Sequence, residues 1–192
     1  MLYESRNNSG ERALSEKQVA AVIAASHTTQ DKLLMEIGFS LGLRRDDLVA
    51  LKVVNVNTDE GVITYEEKKK KNRIRRVPTQ PTLTGELKRY LSTLPKNQIY
   101  LFPAREKNTK EGHLSSRTAY TIFNDLCDEC GIKTPIPIHS MRASAAKILK
   151  NKGWTIEQVA NLLGDRVETI QHYYTIPSES EMRELMGKGG VI

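Results

Sequence analysis

Cysteine is scarce in this sequence, with only Cys127 and Cys130 among 192 residues. Two thiols at i and i+3, with no second pair and no nearby histidines, do not complete a tetrahedral metal site. They read as half-buried free thiols of a reducing compartment. No apolar run reaches membrane-spanning length, and no charged-then-apolar leader opens the chain. No phosphate-cradling loop ending in Gly-Lys-Ser/Thr is present, nor a carboxylate cluster suited to two magnesium ions. No internal repeat occurs. These absences argue against membrane-spanning, P-loop nucleotide-hydrolysing and two-metal phosphoryl-transfer proteins, and against a metal or nucleotide cofactor.

Positive charge is what the chain does have. Lysine and arginine number 29 against 23 acids, a net charge of +6, which favours an acidic partner, nucleic acid first. The charge is concentrated. Lys68, Lys69, Lys70 and Lys71 are followed by Arg73, Arg75 and Arg76. Alone, such a block is a solvated basic turn. Hydrophobic residues make up 39% and charged residues 27%, ordinary for one globular domain with a real core.

Helical periodicity dominates. Ser15 with Gln18 forms a capping box opening a helix to about Ala25. Apolar residues from Leu33 to Leu41 make a second helix ending near Gly42, and Arg45 to Leu51 a short third. Residues 53–56, 61–65 and 74–77 are short and β-branched. They predict a small antiparallel sheet with the basic block in the turn of its last hairpin. Pro78 and Pro81 close the sheet region. Helices follow at 84–92, 115–130, 140–152, 156–163 and 167–174. Pro135 and Pro137 fix an extended lead into His139, and Pro177 stops the last helix. The fold class is therefore mainly α with one small antiparallel β-sheet. Residues 1–12 read as an arm or linker, 13–177 as the domain, and 178–192 as a tail with a short helix.

Two arginines, a histidine and a tyrosine carry the chemistry. Arginine presents a planar fork of donors to phosphate oxygens. Histidine moves protons near neutral pH. Tyrosine offers an oxygen able to form a phosphoester. Gly42-Leu43-Arg44-Arg45-Asp46-Asp47-Leu48, the hairpin ending Arg75-Arg76-Val77-Pro78, His139-Ser140-Met141-Arg142, and Leu162-Leu163-Gly164-Asp165 with Tyr174 nine residues on together resemble the boxes of the tyrosine recombinase (phage integrase) family, in that family's order.

The resemblance implies a site-specific recombinase that cleaves and rejoins double-stranded DNA through a 3′-phosphotyrosine, without metal or cofactor. It implies Arg44 as the first phosphate-binding arginine, with Asp47 as the acid that orients it. Lys70 becomes the hairpin lysine that protonates the leaving 5′ oxygen, with Lys69 and Lys71 the neighbouring registers. His139 becomes the acid/base, Arg142 the second arginine and Tyr174 the nucleophile, with Tyr173 adjacent and His172 a weaker competitor. Arg45, Lys68, Lys69, Lys71, Arg73, Arg75 and Arg76 are expected on DNA. Asp165 departs from the pattern: it stands at an atypical sixth position, where the family carries a histidine or tryptophan donor, and Arg166 is a neighbouring substitute. The resemblance further implies tetramers on DNA, packing of the tail on a neighbour, no membrane or small-molecule partner, and a cytoplasmic location in a prokaryotic, viral or mobile-element setting. Family members usually carry an N-terminal helical domain, which residues 1–12 are too short to form. A type IB topoisomerase-like strand-passing enzyme and a catalytically weakened DNA-binding protein on the same fold are the alternatives.

Overall fold

Side-chain caps set where the helices begin. In the computed structural model, residues 12–67, 73–105, 112–174 and 186–187 are described. Ser15 and Gln18 exchange the two hydrogen bonds of a capping box at the start of α1 (Glu16–Ala24). Thr28 caps α2 (Thr29–Leu41) by accepting from the Asp31 amide, and α3 (Arg45–Val49) follows at once. Ser115 caps α5 (Ser116–Glu129), and Thr155 forms a second capping box on α7 (Ile156–Leu163). The remaining helices are α4 (Pro81–Thr93), α6 (Ser140–Asn151) and α8 (Val167–Tyr174).

The sheet has three antiparallel strands in the order β1 (Val56–Asn57), β2 (Val62–Glu67) and β3 (Arg73–Pro78). Two local expectations differ. Val53–Asn55 is a 3₁₀ turn, so only Val56 and Asn57 pair as strand. Pro81 opens α4 instead of ending the sheet region. Its fixed φ suits the first helical position, where an amide proton has no partner to lose.

One apolar core runs through α1–α5 and the sheet and reaches Met141 of α6. A smaller cluster joins α6, α7 and α8 through Ala145, Ala146, Val159, Ala160, Leu163 and Ile170. That second cluster fixes the helix bearing Arg142 against the helix bearing Tyr174. The joint between the cores is tight at Gly42, the left-handed end of α2 (φ +55°). A Cβ there would lie 2.3 Å from Leu163 Cδ2, so close packing and backbone conformation both call for glycine.

On the far side of α2, Lys32 Nζ pairs with Glu86 Oε1 of α4 at 2.7 Å and with Glu36 Oε1 at 3.5 Å. Burial, then the hydrogen bond to Glu86, pushes the Glu36 carboxyl up to about 7. A carboxyl raised in the folded state stabilises fully below its unfolded value, near 4.5, and that stabilisation is lost as pH rises through about 7. Glu86 is shifted the opposite way, because the hydrogen bonds from Lys32 and Glu36 outweigh its burial; its contribution is lost as pH falls. The melting temperature is therefore expected to drop between about pH 4.5 and 7 and to level off above, and Glu36→Gln to flatten that drop. An unchanged slope in Glu36→Gln would assign the effect elsewhere.

Candidate active site

The site is built where two helix C-termini meet a strand. The last carbonyls of a helix lack internal partners and carry partial negative charge. Arg142 on α6, only 1% exposed, uses this. Its Nη1 donates to Gly42 O at the end of α2, and its Nη2 to Leu163 O at the end of α7, both at 2.6 Å. The same Nη2 donates to Asp165 Oδ2 at 2.6 Å. Gly164 holds the left-handed turn (φ +67°) that ends α7 and presents Asp165.

Arg44 approaches the same carboxylate from the turn between α2 and α3. Its Nη2 donates to Asp165 Oδ1 at 3.4 Å and its Nη1 to Glu67 Oε1 at 2.5 Å. Asp165 thus bridges two arginines that lie 98 residues apart in sequence (142 − 44). Asp47 is buried one turn along α3 and lines a hollow with Tyr65 and Glu66. The ion pairs of Arg44 with Glu67 and Asp165 are ones the sequence motif did not nominate.

Glu67 is the residue sequence reasoning missed. Strand alternation puts Ile63, Tyr65 and Glu67 on the buried face of β2. Opposite them, Val77, Arg75 and Arg73 are the register partners on β3. Arg73 donates to Glu67 Oε2 from Nε at 2.8 Å, and its Nη2 lies 2.6 Å from the same oxygen. Burial would raise the Glu67 carboxyl, but hydrogen bonds from Arg73 and Arg44 hold it below the usual carboxylate range. The signal was present: a carboxylate in phase with Ile63 and Tyr65 on an apolar face requires a cation.

Arg73 and Arg75 turn toward α7. Arg75 Nη2 donates to Asn161 O (2.5 Å) and Leu162 O (2.9 Å), and Arg73 Nη2 reaches Gly164 O (3.4 Å). With Arg142 on Leu163, four consecutive carbonyls at the end of α7 each receive an arginine. Ile74 points outward, 74% exposed. Arg76 pairs with Glu60 and Arg45 with Asp46, both at the surface.

His139 is exposed immediately before α6, three residues from buried Arg142. Lys68, Lys69, Lys70 and Lys71 lie outside the described residues. Tyr173 and Tyr174 end α8, and their side chains, like that of His172, lie outside the described residues. Cys127 is buried, and burial followed by the charge of Cys130 pushes its thiol up to about 12, so it is a poor nucleophile. Among the described residues no helix is long and apolar enough to cross a membrane.

A buried arginine, a second arginine from a distant turn and a Leu-Gly turn thus meet around one carboxylate, in a domain whose helix α8 ends in tyrosine. The sequence profile of the Phage integrase family matches residues 12–180. The chain belongs to the phage integrase family of tyrosine recombinases. Tyrosine recombinase XerA of Pyrococcus horikoshii is 29% identical over 183 residues, covering 94% of this chain and 62% of the relative. Tyrosine recombinase XerD of Chlorobaculum tepidum is 28% identical over 164 residues, covering 81% of this chain and 51% of the relative. Among solved structures, XerA recombinase superposes with TM-score 0.76 at 24% identity, over 92% of this chain and 64% of that one. XerH bound to palindromic difH substrate in a post-cleavage complex gives 0.74 at 18% identity, over 98% and 55%. The chain thus spans about three-fifths of the length of the XerA relative.

Proposed function

We propose that residues 13–177 form the catalytic unit of a site-specific recombinase that cleaves and rejoins duplex DNA through a 3′-phosphotyrosine. The observation that carries this is the convergence of Arg44 and Arg142 on one anion, Asp165. Two guanidinium forks aimed at a single carboxylate can hold the non-bridging oxygens of a phosphodiester and stabilise the charge that develops on them.

In this reading the Tyr174 oxygen attacks phosphorus and the bond to the 5′ oxygen breaks. Lys70 delivers a proton to that leaving oxygen, and His139 manages the proton of the tyrosine. The phosphotyrosine conserves the bond, and a partner strand's 5′ hydroxyl reverses the step. The protein chemistry is complete without metal, cofactor or nucleotide. Assembly on two DNA sites as a tetramer, with the tail beyond residue 177 on a neighbour, and a cytoplasmic location accord with it.

Asp165 also favours a second reading, a weakened DNA-binding relative, since it occupies the place a phosphate would take. Capture separates the two. The protein is incubated with nicked duplexes of randomised sequence, and DNA that stays attached in hot detergent is recovered and sequenced. The recombinase reading expects a covalent adduct with a common sequence, formed equally well in chelator. Reversible binding with no adduct favours the DNA-binding protein, and adducts without sequence preference favour a topoisomerase-like enzyme.

A further inference from the structure

We infer that Glu67 is the positioning residue of the arginine clamp, a role that rests on the recombinase reading above. Arg44 is held by two carboxylates of different character. Asp165 is 15% exposed and meets Arg44 at 3.4 Å. Glu67 is fully buried, meets Arg44 at 2.5 Å, and has both oxygens engaged. Asp165 can yield its place to a phosphate by a rotation at the surface of the site. Glu67 is held on both oxygens, by Arg44 and by Arg73, its register partner on β3, and leaving would uncover two guanidiniums in a buried place.

The two carboxylates therefore divide the work. Phosphate takes the Nη2 edge of Arg44 while Glu67 keeps Nη1, so the guanidinium is already oriented when substrate arrives. A lone carboxylate in this place would cancel the charge Arg44 needs. Arg73 prevents that: one anion shared by two guanidiniums leaves a net positive charge for the phosphate. Space around the group is closed as well. A Cβ on Gly164 would lie 3.0 Å from Glu67 Oε1 and 3.1 Å from Arg73 Nη2, so the Leu-Gly turn packs directly on the ion pair. Glu67 also ends β2, immediately before the lysine run. The strand that orients Arg44 is thus the strand that leads into the hairpin lysine.

The test uses the full chain and the nicked duplex recovered by covalent capture. Glu67→Gln is expected to slow adduct formation about 100-fold while the duplex dissociation constant changes less than about threefold. Glu67→Asp is expected to regain part of the rate. In an Arg44→Ala background, Glu67→Gln should add no further loss, because the residue acts through Arg44. A purely structural carboxylate would cost the same factor in both backgrounds, and that result overturns the proposal, as does a near-wild-type rate in folded Glu67→Gln. Should Glu67→Gln fail to fold, Arg73→Met decides. Arg73 is 48% exposed, and its loss leaves Glu67 unbalanced on Arg44, slowing the adduct about tenfold; an unchanged rate refutes the assignment. Binding of inorganic tungstate, measured by calorimetry, is expected to weaken in Glu67→Gln. If wild type forms no adduct at all, the recombinase reading fails, while tungstate binding still reports on whether Glu67 orients the clamp.

Discussion

Replacing Arg142 with alanine is expected to destabilise the protein by about 3–5 kcal/mol and to abolish DNA cleavage. The stability figure follows from what the side chain holds. Its guanidinium is almost fully buried and donates to Gly42 O, Leu163 O and Asp165. Removing one partner of a buried ion pair typically costs that much, and here it leaves Asp165 with only the longer contact to Arg44. Two helix-end carbonyls lose their donor at the same time. Set against a total of about 5–15 kcal/mol for a domain of this kind, the loss is large. Arg142→Lys separates stability from chemistry. Lysine keeps the charge, but a single ammonium cannot reproduce the fork that reaches three acceptors. It should fold with a smaller loss and cleave about 10²–10³-fold more slowly, the usual cost of removing one preorganised oxyanion donor. Urea denaturation and single-turnover adduct formation measure the two effects. Wild-type cleavage by Arg142→Lys would mean that the forked geometry is not used.

Asp165→His is expected to accelerate adduct formation by about 10²-fold, since it exchanges an internal anion for a donor at the oxyanion. In the free protein the carboxylate satisfies Arg142 and Arg44. On the recombinase reading, a scissile phosphate has to displace it and overcome its charge at close range. Asp165→Asn tests the electrostatic half alone: with size retained and charge removed, tungstate binding should tighten and cleavage rise about tenfold. Both variants should melt earlier than wild type without DNA, because a hydrogen bond to a charged group contributes about 1.5–3 kcal/mol. Slower cleavage in both variants would show that Asp165 is part of the working site, not a competitor for it.

The boxes that were legible in the sequence depend on spacing along helices. Gly42 before Arg44, His139 three residues before Arg142, and Gly164 ten residues before Tyr174 are fixed by helix ends and periods, which a sequence displays directly. The sheet side of the site was harder to read. Arg73, Ile74, Arg75 and Arg76 look like one basic stretch, and the hydrophobic rule would turn Ile74 inward. The structure does the reverse, because Arg73 and Arg75 find a carboxylate and three helix-end carbonyls on the inner side. That compensation comes from α7, some 90 residues later, and no local pattern announces it. Glu67 was obscured for the same reason: its partners, Arg44 and Arg73, lie on separate elements, and its neighbour Glu66 is exposed. Asp165 was visible as an anomaly, but its role between two arginines required the fold.

On the proposed function, the arginine clamp serves a tyrosine nucleophile at the end of α8. This is tested most directly by trapping the protein on a nicked duplex, digesting the adduct and locating the nucleotide-modified residue by mass spectrometry. The expected product is a single phosphodiester linkage between the DNA 3′ end and Tyr174. Linkage at Tyr173 or any other residue, or the absence of a covalent product on every captured sequence, would contradict it.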